Sequence, residues 1–261
     1  MSENNSNEPS AAPPSPPTLT NALMAHISLN KVNFGLWCTR CATIIFTLNY
    51  LVPILGYSHS MYSKALLANA ATSALRLHQR LPRVQMTQEF LGALFIEDSA
   101  HYLLYSLVFL FAPPITWVLL PIGLFAVLHI SSYSLELLEL LGPNSLGVIR
   151  MAIGVVEVQS SNLLRTIAFA EIFLFPLLIV SLFSGRATLM TVFVYYRFLT
   201  LRYASRRNPY TRNTFAELRM IAEIYAQKPA CPEAVRNIVF RLIAFITRLA
   251  PAVVQATPNP Q

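Results

Sequence analysis

The sequence predicts an all-α, polytopic helical membrane protein of three to five spans, followed by amphipathic C-terminal helices on the cytosolic side. Three observations carry this. Hydrophobic residues make up 54% of the chain and charged residues 12%, against about 25% charged in soluble domains. Too few ionic groups remain to cover a water-facing surface. Apolar stretches recur near the ~20 residues that a helix needs to cross the hydrocarbon. The net charge of +7 is also confined. From Arg197 to Gln261 ten Lys/Arg stand against three Asp/Glu, and before Arg197 the two classes balance at nine each.

Residues 1–30 read as a disordered tail, polar and rich in Pro, Ser and Asn, without the basic-then-apolar order of a signal peptide. The membrane domain follows over 31–204. Its first span is expected at 34–57, with Arg40 near its start, where a long side chain can snorkel to the headgroups. Asn30 or Asn33 are the candidate caps. Residues 62–81 alternate differently. Ala65, Leu66, Ala70, Ala71, Ala74 and Leu77 make a small-residue face, and Thr72, Arg76, Gln79 and Arg83 make a polar stripe. This predicts a helix at the interface or packed closely on its neighbours, stopped at Leu81-Pro82.

The apolar run from Phe90 to Tyr133 is too long for one straight crossing. Pro113-Pro114 divides it into spans at 90–112 and 115–133, because proline removes a helix donor and turns the preceding residue away from α. Gly142-Pro143-Asn144 marks a turn in the mixed segment after it. A second apolar pair, 163–183 and a marginal 187–203, is separated by Ser184-Gly185-Arg186.

The tail, 205–251, opens with Asn208-Pro209, a helix-start signal. Arg219 and Glu223 are spaced for an i,i+4 pair. After the Lys228–Pro232 break, a helix over 233–249 carries Val235, Ile238, Val239, Leu242, Phe245, Ile246 and Leu249 on one face. Asn237, Arg241, Ala244 and Arg248 line the other, the composition of a helix lying in a membrane plane. Packing of that face on the protein's own membrane domain is the alternative. The expected lipid contacts are Phe240, Phe245, Ile246 and Leu249 for the hydrocarbon, and Arg236, Arg241 and Arg248 for phosphates. Residues 252–261 read as a disordered end.

If 58–88 and the tail are both cytosolic, the spans between them are even in number. One span before them then makes the N-terminus lumenal, with the Asn4-Asn5-Ser6 sequon facing the lumen.

Few residues carry chemistry. Cys38 and Cys41 have redox-motif spacing, but they open an apolar span with no strand nearby, which argues against a thioredoxin role. Glu97, Asp98 and His101 fall on one helical turn at membrane depth, and Glu171 stands alone in an apolar run. A structural reading is favoured for all four, with Arg165 or Arg197 as partner of Glu171. A metal site would need a further ligand such as His129. There is no phosphate loop, no nucleophile elbow and no nucleic-acid-binding motif. No cofactor, no metal, no enzymatic activity and no nucleic-acid partner are expected. A transporter using the four ionisable residues is the outlying alternative.

Four segments resemble the transmembrane protein 33 family, whose relatives include the fungal pore-membrane proteins and insect Krüppel homologue 2. They are YSKALLANAATSALRLHQRLP (Tyr62–Pro82), EDSAHYLLYSL (Glu97–Leu107), YYRFLTLRYASRRNPY (Tyr195–Tyr210) and KPACPEAVRNIVFRLIAFITRLAP from Lys228. The resemblance implies a non-enzymatic protein of the endoplasmic reticulum and nuclear envelope. It further implies roles in ER tubule shape beside reticulons, in nuclear-pore distribution or assembly, and in ER-stress signalling. Three spans with a lumenal N-terminus and cytosolic C-terminus are the implied topology. In the fungal branch the tail helices are implicated in binding membrane and a nuclear-import receptor. An adaptor for reticulons or stress-signalling proteins is the second reading.

Overall fold

In the computed structural model the described residues are 19–53, 58–81, 87–140, 146–205 and 207–250. The polar tail and sequon at 1–18, the turn at Gly142–Asn144 and the end at 252–261 lie outside them. The described residues form eleven α-helices and no strand. They are α1 (Leu19–Leu29), α2 (Lys31–Leu51), α3 (Ser58–Arg80), α4 (Gln88–Ile96), α5 (Asp98–Leu110), α6 (Leu119–Leu140), α7 (Gly147–Val158), α8 (Ser160–Phe183), α9 (Leu189–Ala204), α10 (Tyr210–Ala226) and α11 (Glu233–Leu249). A 3-10 turn, Thr116–Val118, leads into α6. Leu19–Leu29, expected within the disordered tail, is helical.

The helices pair as hairpins. In α2/α3 the Gln79 amide lies 3.4 Å from Asn33, the Thr72 hydroxyl donates to Thr39 at 2.8 Å, and the Tyr50 and Tyr62 rings meet at 5.5 Å. One index falls as the other rises, so the two helices are antiparallel along their whole length. The α3 face that packs is Tyr62, Ala65, Leu66, Asn69, Ala70 and Ser73. Ala71 and Ala74, expected on the packed face, are exposed. The helix packs closely on α2 and α5. Small side chains let α2, α3 and α5 approach, and Asn69 donates to Ser106 at 2.8 Å across α3 and α5.

α5 ends at Leu110, just before the expected break at the proline pair, and α6 packs on α2 and α8, with Tyr105 of α5 donating to the Val118 carbonyl at 2.8 Å. At the α8–α9 turn Gly185 takes a φ of 71°, which a side chain would disfavour. The Arg186 amide donates back to the Ser181 carbonyl at 2.8 Å, which satisfies an end-of-helix acceptor. The core between the hairpins is aromatic. Tyr102, Tyr105, Phe109, Tyr195 and Phe198 are all buried, with Tyr105 centred 4.9 Å from Phe109 and 5.0 Å from Phe198.

Two helical segments are long and apolar enough to cross a bilayer, Thr116–Leu140 and Ser160–Phe183, and a third if the bent pair α4–α5 counts as one. That is two or three against the expected three to five. α2 ends at Leu51, short of residue 57, and buries Arg40, Thr43, Thr47 and Asn49. α9 has 16 residues, about 24 Å at 1.5 Å per residue, which is less than the ~30 Å core.

The antiparallel register can be tested by crosslinking. With the native cysteines changed to serine, Thr39→Cys/Thr72→Cys should form an intramolecular disulfide on mild oxidation, read as a gel shift reversed by reductant. Thr39→Cys paired with Tyr62→Cys should not.

Candidate functional site

Two regions stand out, a buried charge network and an exposed amphipathic helix. The network is centred on Glu171 in α8, which is 0% exposed, and Arg202 near the end of α9, which is 1% exposed. Arg202 Nε donates to Glu171 Oε1 at 3.0 Å and to Oε2 at 3.2 Å. Glu171 also accepts from the Tyr102 hydroxyl and, at 3.2 Å, from Thr211 in α10. Its backbone carbonyl accepts from Tyr195 at 2.7 Å. Arg202 Nη1 reaches Asp98 at 3.2 Å, and Ser205 donates to the same oxygen at 2.8 Å. The guanidinium carbon lies 5.2 Å from the Tyr102 ring centroid and 5.9 Å from that of Phe125, close enough for cation–π attraction.

This pairing corrects an expectation. Arg165 pairs with Glu217 of α10 at 2.7 Å, and Arg197 is exposed. Arg202 lies five positions beyond Arg197, about 140° further around the helix. The α8/α9 register turns that position, and not Arg197, towards Glu171.

The expectation for Glu97, Asp98 and His101 is also corrected in part. They do not share one continuous helix, because Glu97 is extended (φ −81°, ψ 120°) and α4 and α5 meet there at an 81° bend. The break frees the Glu97 carboxylate to accept from Arg80 at 2.6 Å and from Arg207 at 2.7 Å. Asp98 then opens α5, at the positive end of its dipole. His101 lies 3.7 Å from Asp98, while its Nε2 donates to the Phe95 carbonyl across the bend at 2.7 Å. His129 is apart from this group. Its ring stacks on Phe125, and its carbonyl lies 3.5 Å from Arg40. Among the described residues no three His, Cys, Asp or Glu side chains converge to hold a metal. Cys38 and Cys41 are free thiols.

Sequence reasoning missed Arg80, Tyr102, Ser205, Arg207 and Thr211 as partners. The available signal was Arg202, an arginine in an apolar helix with a lone glutamate in the preceding one.

The second region is α11, which spans the expected Glu233–Leu249. None of its residues is buried, and Ile238, Leu242 and Phe245 are 57%, 54% and 58% exposed. At 100° per residue, these three with Val235, Ile246 and Leu249 form one exposed arc. Arg241 and Arg248 run along one edge of it. Val239 and Ile243 are half-buried, so only the flank of the helix packs inward. Arg236 is on that flank, its Nε enclosed and without a hydrogen-bond partner. Phe240 stands about 140° around the helix from Phe245, off the arc. Of the seven expected contacts, five therefore form the arc and its basic edge.

A sequence model of the family described as Transmembrane protein 33/Nucleoporin POM33 matches residues 15–252. The chain belongs to that family. Krueppel homolog 2 of Drosophila melanogaster is 49% identical over 229 residues, covering 88% of this chain and 82% of that protein. Transmembrane protein 33 of Homo sapiens is 47% identical over 226 residues, covering 86% and 92%. The Transmembrane protein 33 homolog of Caenorhabditis elegans is 41% identical over 236 residues, covering 89% and 87%. No solved structure matches. The Transmembrane protein 33/Nucleoporin POM33 match spans α2–α11 whole, so both the charge network and the amphipathic helix lie inside it.

Breaking a buried ion pair on one side leaves an uncompensated charge, at a cost of about 3–5 kcal/mol. Arg202→Met is therefore expected to lower the midpoint of thermal unfolding in detergent strongly. Glu171→Leu/Arg202→Met should recover much of the loss, and Arg165→Met, which breaks an exposed pair, should change little.

Proposed function

We propose that this protein is a non-enzymatic organiser of the endoplasmic reticulum and nuclear-envelope membrane. In this reading the helical bundle anchors the chain, and α11 inserts its apolar arc into the cytosolic leaflet. The observation that carries it is the α11 surface, a solvent-facing apolar arc edged by Arg241 and Arg248 and covered by no other described element. Apolar burial is worth about 25 cal/mol per Å², and each cation near an anionic surface adds ~1 kcal/mol. The two terms together hold a helix in the interface.

The finer assignments follow from family resemblance. They are a part in ER tubule shape beside reticulon-type proteins, in nuclear-pore distribution or assembly, and in contact with a nuclear-import receptor. The family description itself includes the word nucleoporin. The adaptor reading shares the same tail surface but needs a protein to cover the arc. The Glu171 and Asp98 carboxylates are both engaged by Arg202, which favours an organising role over ion handling.

Flotation with anionic liposomes separates these. A 205–261 peptide should float with the vesicles, and raised salt should weaken it. Phe245→Asp/Leu249→Asp removes two apolar side chains worth about 1.5–3 kcal/mol each, so bound peptide should fall by at least about tenfold. Equal recovery of the two peptides would reject leaflet insertion.

A further inference from the structure

We infer that the N-terminal end of the bundle lies on the same, cytosolic, side of the membrane as the basic tail. The packed helices α2, α3, α5 and α9 alternate in direction. α2 and α3 run antiparallel through Asn33–Gln79, Thr39–Thr72 and Tyr50–Tyr62. α3 and α5 do so through Asn69–Ser106 and Arg80–Glu97. α5 and α9 do so through Asp98–Arg202, Tyr102–Phe198 and Phe109–Tyr195. The start of α2, the end of α3, the start of α5 and the end of α9 therefore share one end of the bundle.

Three further contacts tie the flanking segments to that end. Arg207, just beyond α9, meets Glu97 together with Arg80. Arg165, in the first half of α8, meets Glu217 of α10. His26 of α1 packs on Tyr133, in the half of α6 away from the 3-10 turn, with ring centroids 5.9 Å apart. The opposite end holds the end of α2, the start of α3 and the turns at 111–118 and 184–188.

The charges choose the side. Among the described residues of the bundle, Lys64 and Arg186 lie close to the turns, whereas Lys31, Arg76, Arg80, Arg165, Arg202 and Arg207 lie towards the opposite end, where the tail begins. A basic excess marks the cytosolic side. The lumenal N-terminus expected from an odd number of crossings does not fit this geometry. α3, assigned to the cytosol in that count, instead pairs with α2 along its length and returns the chain. The inference is independent of whether α11 inserts.

Protease protection on the full-length chain in sealed, right-side-out ER microsomes tests it. The N-terminus would carry an epitope tag preceded by an efficient glycosylation sequon, and the C-terminus a second tag. Loss of both tags on adding protease outside, with no endoglycosidase-sensitive shift, is the expected result. Protection of the N-terminal tag, or a glycan on its sequon, with the C-terminal tag still removed would overturn it. Protection of both would overturn the cytosolic assignment.

Discussion

The ion pair between Glu171 and Arg202 is the constraint around which the bundle is arranged. Two opposite charges that are almost wholly inaccessible must satisfy one another and most of their remaining hydrogen-bonding groups, since water cannot. Tyr102, Thr211 and Asp98 supply most of that shell, and Arg202 Nη2 is left buried without a hydrogen-bond partner. Those three residues come from α5 and α10, so with α8 and α9 the pair fixes how four helices meet. The bend at Glu97 belongs to the same arrangement. Without it, Asp98 would not open a helix beside Arg202, and Glu97 could not bridge Arg80 and Arg207.

Much of this was legible in the sequence, and what was not has a physical reason. Apolar run lengths and the proline pair point to the helices, and the Asn208-Pro209 signal is one residue early: Pro209 is the N-cap of α10, and Asn208 accepts from the Tyr210 amide at 3.1 Å. α11 was placed to the residue, because an isolated amphipathic helix is defined by its own periodicity. Partners across helices were harder. Glu171 was seen to need a cation, but proximity favoured Arg165 and Arg197, whereas helix register decides in favour of Arg202. The bend at Glu97 has no proline or glycine to announce it. It coincides with the long-range contacts of Glu97 to Arg80 and Arg207, which local pattern does not contain. The packed side of α3 misled for a related reason. Its buried stripe mixes Asn69 and Ser73 with alanines, and hydrophobicity alone selects the wrong alanines.

The buried network and the exposed tail helix are continuous in the chain. Arg202 ends the α9 hairpin arm, Ser205 and Arg207 bind the α4–α5 bend, and Thr211 carries the connection into α10. The tail is thus rigidly rooted at the charged end of the bundle. α10 lies along α8, and α11 presents an exposed apolar arc edged by Arg241 and Arg248. A rooted helix presents its arc at a fixed height relative to the embedded bundle, which a free amphipathic peptide cannot do.

The position of Glu171 within α8 sets how much apolar protein lies beyond the charged level. Ile172–Phe183 extends about 18 Å, and α5, starting at Asp98, about 20 Å. Because Glu171 and Arg202 are enclosed, lipid beside them meets apolar side chains such as Phe169 and Phe173, and all 24 residues of α8 can match a hydrocarbon core ~30 Å thick. Enclosing the charge thus leaves the outward face of α8 unbroken, and the helix keeps its full apolar length towards lipid.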